Sequence, residues 1–252
     1  LWGVRGSYPA PLSSENIEEK IVKALSYAKP GDISSEESVR SFVKALPVSI
    51  KGTYGGNTTS IEVRTSSDEL IIVDCGSGLI NLGRELMGTE YGKGRGAASI
   101  FLTHTHWDHI QGIPFFTPFY IKGNRFNFYS PVDNIQERVE YQQALTHFPI
   151  TFDSMMATKR FFRVREDETF YINDVRIFTK SMPHPGSAYG IRIEDGSGVF
   201  VYTSDCEFSI DEIDHIHSYS DLFHDADVLV FDAQYTFQES LIDKMSWGHS
   251  SA

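Results

Sequence analysis

Four side chains of metal-binding type lie within six residues near the middle of the chain: His104, His106, Asp108 and His109. They follow a short apolar run, 100–102, that predicts a buried strand. Imidazole nitrogens and carboxylate oxygens are ligands for zinc, and also for iron or manganese. In a loop that turns after the strand, His104 and His106 can face one side while Asp108 and His109 face the other. The spacing therefore predicts a site for two metal ions, against the alternative of a histidine-rich surface loop.

The segment His104-Thr-His-Trp-Asp-His109 resembles the HxHxDH signature of the metallo-β-lactamase superfamily of metal-dependent hydrolases. Further stretches fit the same superfamily in the same order: Asp74-Cys-Gly-Ser-Gly78, Pro183-His184-Pro185, Thr203-Ser-Asp205, Asp232-Ala233 and Trp247-Gly-His249. The phosphodiesterase-like branch includes cyclic-phosphate diesterases and the tRNA 3′-end endonuclease RNase Z. Two more stretches resemble this branch, namely Trp2-Gly-Val-Arg-Gly-Ser7 and Tyr54-Gly-Gly-Asn-Thr58. The resemblance covers nearly the whole chain apart from residues 12–52.

The resemblance implies a dinuclear site with seven ligands. One metal would take His104, His106 and His184, the other would take Asp108, His109 and His249, and Asp205 would bridge the two. The expected cofactors are two divalent ions, zinc first, with manganese or iron as alternatives. The other histidines lie in polar or helical stretches and are expected at the surface: His147, His215, His217 and His224.

The chemistry that follows from this ligand set is hydrolysis by a metal-bridging hydroxide, because two dications lower the pKa of a shared water. Asp108 and Asp205 are the expected catalytic carboxylates, which would orient the hydroxide and take its proton. Metal-bound histidines usually need a hydrogen-bond partner behind them. We expect Asp74 to accept such a bond, with a helix N-cap as its alternative role. Two further residues are expected just behind the ligands, namely Asn57, in contact with a neighbouring loop, and Asp232.

Apolar and alternating runs predict strands clustered in each half of the chain, with helices between and after them. The predicted strands are 60–65, 70–73, 100–102, 125–129, 161–165, 175–180, 188–193, 199–202 and 227–231, after an edge strand at 1–5. This layout predicts an α/β fold, a four-layer αββα sandwich in a single domain, 1–252. The chain starts within a predicted strand and stops just after His249, so we expect both ends to be incomplete.

Residues 12–52 read as a helical insertion. One amphipathic helix spans 14–29 and ends at Pro30-Gly31, and Ser34-x-x-Glu37 predicts the cap of a second, which ends before Pro47. This hairpin could serve as a lid, as the surface of a homodimer, or as a decoration beside the core. Asn134-x-x-Glu137 and Thr236-x-x-Glu239 predict the caps of two later helices.

Composition limits the binding partners and the cellular compartment to be expected. The formal charge of the 252 residues is −12, and the chain contains no run of Lys and Arg of the kind that holds long nucleic acids. A small phosphate ester stays compatible, because two bound dications would dominate the local field. No apolar run is long enough to span a bilayer. The two cysteines, Cys75 and Cys206, predict reduced thiols in a cytoplasmic protein rather than a disulfide framework.

Four functions compete at this point. The first is a phosphodiesterase acting on a small or cyclic phosphodiester. The second is a carbonyl ester, lactone or thioester hydrolase on the same site, for which the aromatic stretch 115–120 could form an apolar wall. The third is an iron-dependent oxidoreductase on the same scaffold. The fourth is a domain that binds without catalysis, against which the full set of seven ligands argues.

Overall fold

Two five-stranded sheets form the fold in a computed structural model that describes residues 1–53, 55–208 and 216–251, without the side chain of Leu241. The first sheet has the order β1 (Ile61–Arg64), β2 (Leu70–Val73), β3 (Ala97–Phe101), β4 (Arg125–Ser130), β5 (Thr158–Arg163). The second sheet contains β6 (Thr169–Ile172), β7 (Val175–Met182), β8 (Ala188–Asp195), β9 (Gly198–Tyr202) and β10 (Val228–Val230). Its spatial order is β10-β9-β8-β7-β6.

The α-helices in the described ranges are short apart from three. They are α1 (Ser14–Tyr27), α2 (Glu36–Ala45), α3 (Val48–Lys51), α4 (Gly78–Met87), α5 (Trp107–Ile110), α6 (Ile135–Gln142), α7 (Ser220–Phe223) and α8 (Phe237–Leu241). Within the described residues, no helix has both the length and the apolar character needed to cross a membrane.

Three apolar clusters separate the layers of the expected αββα sandwich. The first packs the face of α4, with Leu79 and Leu82, against the outer side of the first sheet. The second fills the space between the sheets, where Phe101 and Val73 meet residues of β7 and β8 such as Ile177. The third covers the outer side of the second sheet and includes Leu222 of α7. The fold class expected from the sequence is therefore confirmed.

Strand β2 shows why its sequence is apolar without alternation. Leu70 and Ile72 belong to the cluster under α4, whereas Ile71 and Val73 belong to the cluster between the sheets. A strand covered on both faces reads as a continuous apolar run. Strands β2, β3 and β4 are parallel, as are β9 and β10. Their carboxyl ends deliver loops to one edge of the sandwich, which is where open α/β sheets place their ligand sites.

The insertion 12–52 is the expected helical hairpin, with a 3₁₀ turn at Pro30–Ile33 between α1 and α2. None of the residues in α1, α2 or α3 is buried, and Leu46, just after α2, is the buried residue of this region. Apolar side chains of α1 such as Ile21 and Leu25 stay more than half exposed. The hairpin therefore lies outside the sandwich.

Several local expectations were wrong. Residues 1–5 form two isolated bridges, Gly3 with Ser60 and Arg5 with Thr58, rather than a strand. Helix α2 is capped by Ser35 together with Ser38 instead of by Ser34 with Glu37, and Asn134 makes no side-chain cap bond. The Thr236–Glu239 cap is confirmed, although its helix ends at Leu241.

The aromatic stretch 115–120 is mostly core. Phe116 and Phe119 have no exposed surface and pack edge to face on Phe126, because two short 3₁₀ turns direct them under α4. Phe115 alone of these phenylalanines is exposed, against Phe148. The stretch is therefore not the apolar wall that was expected to suit an acyl chain.

Gly76→Ala is expected to destabilise the protein by about 2–3 kcal/mol through overpacking. A Cβ at Gly76 would lie 2.3 Å from the carbonyl oxygen of Asp108, 2.4 Å from that of Thr59 and 2.5 Å from Oγ1 of Thr58. Two of these are backbone atoms, so the loop that carries Asp108 would have to move. Denaturant unfolding measures the loss, and Gly31→Ala is the control, because nothing lies within 4 Å of its Cβ. Equal stability of the two variants would contradict the prediction.

Candidate metal centre

Loops at one edge of both sheets bring the predicted residues together. The loop after β3 carries His104 and His106, the short helix α5 that follows it carries Asp108 and His109, and the turn between β7 and β8 carries His184. Asp74, Asp205 and Asp232 follow β2, β9 and β10, and His249 lies beyond α8. Asp74 and Ser204 have backbone φ angles of 59° and 60°, values that residues other than glycine rarely adopt. Such strain often accompanies a functional site.

The first group of donors contains His104, His106, His184 and Asp205, whose ligand atoms all lie within 4.8 Å of one another. The closest pair is Nε2 of His184 and Nδ1 of His106, 3.1 Å apart. Oδ2 of Asp205 lies 3.6 Å from Nε2 of His104 and 3.9 Å from Nε2 of His184. Three imidazole nitrogens and one carboxylate oxygen thus converge on one small volume.

The second group contains Asp108, His109 and again Asp205. Nε2 of His109 lies 3.2 Å from Oδ2 of Asp205 and 3.7 Å from Oδ2 of Asp108. The same oxygen of Asp205 therefore faces both groups. Asp108 is held in place by the backbone N–H of Ser7, which donates to its Oδ2 at 2.8 Å.

His249 lies in a third group, with Asp205 and Asp232, rather than in one group with Asp108 and His109. Nδ1 of His249 is 2.9 Å from Oδ2 of Asp232. This carboxylate also accepts a hydrogen bond from the backbone N–H of Cys206 at 3.1 Å. A small cavity of about 160 Å³ is lined by residues that include His249, Asp205 and Arg5.

The carbonyl oxygen of Gly248 fixes the tautomer of His184. It lies 2.7 Å from Nδ1, and a carbonyl can only accept, so Nδ1 carries the proton. Nε2 of His184 is then the nitrogen with a free lone pair in the neutral ring, and it faces the donor group. Only glycine suits position 248, because its φ is 89° and a Cβ would lie 2.4 Å from Nδ1 of His184.

Asp74 orients two more histidines, His109 by direct contact and His104 through Thr103. Nδ1 of His109 lies 2.7 Å from Oδ2 of Asp74. The hydroxyl of Thr103 lies 2.7 Å and 2.9 Å from the two carboxylate oxygens, which have no proton to give, so it donates to them. The oxygen of Thr103 is then left to accept from Nδ1 of His104 at 3.1 Å. Both histidines consequently turn Nε2 toward Asp205.

The pKa values of the histidines differ because their surroundings differ. Burial, with a contribution from His109, lowers the pKa of His104 to about 4. Burial also acts to lower the pKa of His109, but the charges of Asp205 and Asp74 on its two nitrogens outweigh this and raise it well above the usual value. Burial acts to raise the pKa of Asp205, and His109 and His104 reverse the effect, so it lies well below its usual range.

These donors fit divalent metal ions. Nε2 of His104 is buried without a hydrogen-bond partner among the described residues, which is costly unless something else satisfies it. Its neighbours are imidazole nitrogens and carboxylate oxygens, the donor types that zinc, iron and manganese accept. The residues could therefore hold metal in two adjoining sets.

A family model decides the relationship of the chain. The model described as the Beta-lactamase superfamily domain matches residues 70–252. The chain belongs to the beta-lactamase superfamily. It is 25% identical over 218 residues to the probable metallo-hydrolase YhfI of Bacillus subtilis (strain 168), across 82% of this chain and 79% of YhfI.

Solved structures place this member of the beta-lactamase superfamily in the metallo-β-lactamase fold. The crystal structure of B. subtilis YhfI has a TM-score of 0.55 at 23% identity, over 77% of this chain and 69% of YhfI. Human tRNase Z, short form, gives 0.55 at 19% identity, over 79% of each chain. Unliganded yeast PDE1 gives 0.53 at 14% identity, over 77% of this chain and 75% of PDE1. These likenesses show the fold.

The structure also places the other residues for which the sequence predicted a role or a surface position. Asn57 contacts the neighbouring loop as expected of it, because its Oδ1 accepts from the hydroxyl of Ser77 at 3.1 Å. Ser77 is also the N-cap residue of α4, so the alternative role of Asp74 as helix cap does not arise. Histidines 147, 217 and 224 are exposed and join no donor group, and His215 lies outside the described residues. Cys75 and Cys206 are buried free thiols, and neither belongs to a donor group of the described residues.

Sequence reasoning missed the groups that hold the histidines and carboxylates in place. They are the hydroxyl of Thr103, the backbone N–H of Ser7, the hydroxyl of Ser204, which donates to Thr103 at 2.8 Å, and the carbonyl of Gly248. Thr103, Ser204 and Gly248 stand directly beside a predicted ligand in sequence, and this adjacency is the signal that could have found them. The N–H of Ser7 has no such signal, because 101 positions separate it from Asp108.

Proposed function

We propose that the protein is a dinuclear metal-dependent phosphodiesterase acting on a small or cyclic phosphodiester. The observation that carries the proposal is the position of Oδ2 of Asp205. It is 3.6 Å from Nε2 of His104 in one donor group and 3.2 Å from Nε2 of His109 in the other. One carboxylate shared by two donor groups is what a pair of neighbouring ions requires.

Two ligand sets follow from this position. His104, His106 and His184 would hold one ion, Asp108 and His109 the other, and Asp205 would contact both. We assign His249 to the second set, because Asp232 holds its Nδ1 in the same way that Asp74 holds Nδ1 of His109. Zinc is the proposed metal, since the five ligands besides the carboxylates are imidazoles on a partly buried frame, with manganese or iron as alternatives.

When bound, the ions would lower the pKa of a water enough to make it a nucleophile and would counter the negative charge of the phosphoryl oxygens. The chain supplies the rest. Asp108 and Asp205 accept the proton of the attacking water and orient it. Asp74 and Asp232 hold histidines at fixed angles, as second partners of metal ligands do. The side chain of Arg5, at the small cavity beside Asp205 and His249, offers a cation to the phosphate group.

Three observations favour a phosphodiester over a carbonyl compound. Human tRNase Z and yeast PDE1 share this fold, and both branch-specific stretches of the sequence touch the site. The stretch 2–7 reaches Asp108 through the N–H of Ser7, and Asn57, in the described part of the second stretch, reaches the loop after Asp74. The aromatic residues that suggested an acyl substrate are instead mostly buried in the core.

The test is a panel of substrates offered to the purified chain after removal of metals and reloading with zinc, manganese or iron(II) in turn. We expect hydrolysis of bis-p-nitrophenyl phosphate with at least one metal, and little with lactones or thioesters. Activity should disappear with a chelator and return on reloading. A fully loaded protein that opens lactones or thioesters but no phosphodiester would replace the proposal with an ester hydrolase. Oxygen uptake by the iron form would indicate an oxidoreductase.

A further inference from the structure

A second, larger cleft opens at the opposite end of the sandwich from the histidine cluster. Its volume is about 810 Å³, within the size range of small-molecule sites. It is lined on the first sheet by the beginnings of β3 and β4, including Ala97, Ser99 and Arg125, and on the second sheet by Tyr171. The donor groups follow the carboxyl ends of β2 and β3. The five-residue strand β3 therefore separates the two sites by roughly 15 Å.

The side chains of the cleft break the pattern that fills the rest of the space between the sheets. In a sandwich, inward-facing positions are normally apolar, as Phe101 and Val73 are here. Two residues before Phe101 on the same face of β3 lies Ser99, paired in register with Asn127, which pairs in turn with Arg160. Such local departures from an otherwise consistent pattern are expected at functional sites.

Arg125 and Arg160 project from one face of two adjacent strands. Arg125 of β4 is paired in register with Thr158 of β5. Arg160 lies two residues after Thr158 on β5, so the two arginines are diagonal neighbours. Side chains in this relation are within reach of a common partner. Two guanidinium groups from different strands can therefore approach one ligand.

The charges of the cleft leave these two arginines unmatched. Arg95 is paired with Glu90 at 2.5 Å, and Arg64 is paired with Glu62 at 2.8 Å. Side chains of Arg125 and Arg160, by contrast, make no ion pair or hydrogen bond within the described parts of the chain. Glu69 also lines the cleft, where Asn173 occupies Oε1 of its carboxylate. Asp68 lines the cleft as well and lies 3.8 Å from Arg64, so the two unpaired arginines face Glu69 as the carboxylate without a cationic partner.

We propose that this cleft binds a small phosphate-bearing anion between Arg125 and Arg160. A guanidinium presents paired N–H donors that match the oxygens of a phosphate group, and two of them can bracket one group. Asn127 and Ser99 add neutral hydrogen-bonding groups on the floor of the cleft. Tyr171 on the facing wall gives a ring against which an organic part of the ligand can pack. The inference does not depend on the function proposed for the metal centre.

The experiment is an NMR titration of the zinc-loaded protein that follows the Nε–H resonances of Arg125 and Arg160. One arm adds inorganic phosphate and the other adds adenosine 5′-monophosphate, both at constant ionic strength with sodium chloride. We expect saturable shifts of both resonances. Equal affinity in the two arms would assign the site to the phosphate group alone, and tighter binding of the nucleotide would assign it to a phosphate ester.

Three variants make the result decisive. Arg125→Gln with Arg160→Gln should weaken phosphate binding at the cleft by about tenfold or more, and each single change should weaken it less. In these variants the backbone amide resonances of Ser99 and Asn127, which also line the cleft, report the binding. Arg165→Gln is the matched control, an exposed arginine that pairs with Glu168 outside the cleft and should leave binding unchanged. If the double variant does not fold, the single variants carry the test. Shifts that do not saturate, that sodium chloride reproduces, or that survive both substitutions would overturn the proposal.

Discussion

Asp205→Ala is expected to lower phosphodiester turnover by about a thousandfold or more, with the fold intact. The side chain ends in the one carboxylate oxygen that faces both donor groups, 3.6 Å from Nε2 of His104 and 3.2 Å from Nε2 of His109. Its loss removes a ligand from each set at once. We therefore expect metal content to fall below two ions per chain, and turnover to fall with it, because positioning and charge stabilisation fail together.

The measurement combines elemental analysis of bound metal with turnover of bis-p-nitrophenyl phosphate and circular dichroism. Asp243→Ala is the control, since Asp243 is exposed on the segment after α8, away from the donor groups. It should keep both metals and full activity. An Asp205→Ala protein that holds two ions and turns over at the wild-type rate would show that Asp205 does not bridge.

Asp74→Ala is expected to have the largest effect on stability, a loss of about 3 kcal/mol in the free energy of unfolding. The carboxylate is fully buried and accepts from three donors. These are the N–H of Thr103 at 2.8 Å, its hydroxyl, and Nδ1 of His109 at 2.7 Å. Removing the acceptor leaves all three buried and unpaired. Denaturant titration of the metal-free protein measures the loss.

The control is Asp68→Ala, because Asp68 has nearly the same backbone φ, 62° against 59°, but an exposed side chain. It isolates the cost of placing alanine in the left-handed region, about 1 kcal/mol. Asp74→Asn separates the charge from the shape. Both oxygens of Asp74 are in use, so the amide must turn its NH₂ toward a donor, and metal affinity should fall by about 10–100-fold. Asp74 variants as stable as Asp68→Ala would contradict this account.

Part of the candidate site could be predicted from the types and spacing of residues in the sequence. His104 to His109 were found from their types and spacing, because ligands on one short loop leave a local pattern. His184 and His249 were placed only through the resemblance to a superfamily, because each stands alone in a polar stretch. Their neighbours in space are 78 and 17 positions away in sequence, at His106 and Asp232. Long-range contacts of this kind have no local signature.

The errors in the fold have local physical causes. Strand β6 was missed because Thr169–Ile172 is four residues long and two of its residues are exposed. Phe116 and Phe119 looked like a surface wall because prolines surround them, yet two 3₁₀ turns carry them into the core. Ser34 and Ser35 are both good caps, and only the backbone geometry selects Ser35. Arg125 and Arg160 meet because two strands pair in one register, which no single-sequence pattern reveals.

The donor groups draw on both sheets. His104 and His109 follow a strand of the first, whereas His184 and Asp205 follow strands of the second. Bound ions would therefore act as a cross-link between the two halves of the molecule, added to the apolar cluster that already joins them. A ligand that binds only the native state raises stability by mass action. Chelation should thus lower the melting temperature, by more for a metal that binds more tightly, and separation of the halves should be the event that it promotes.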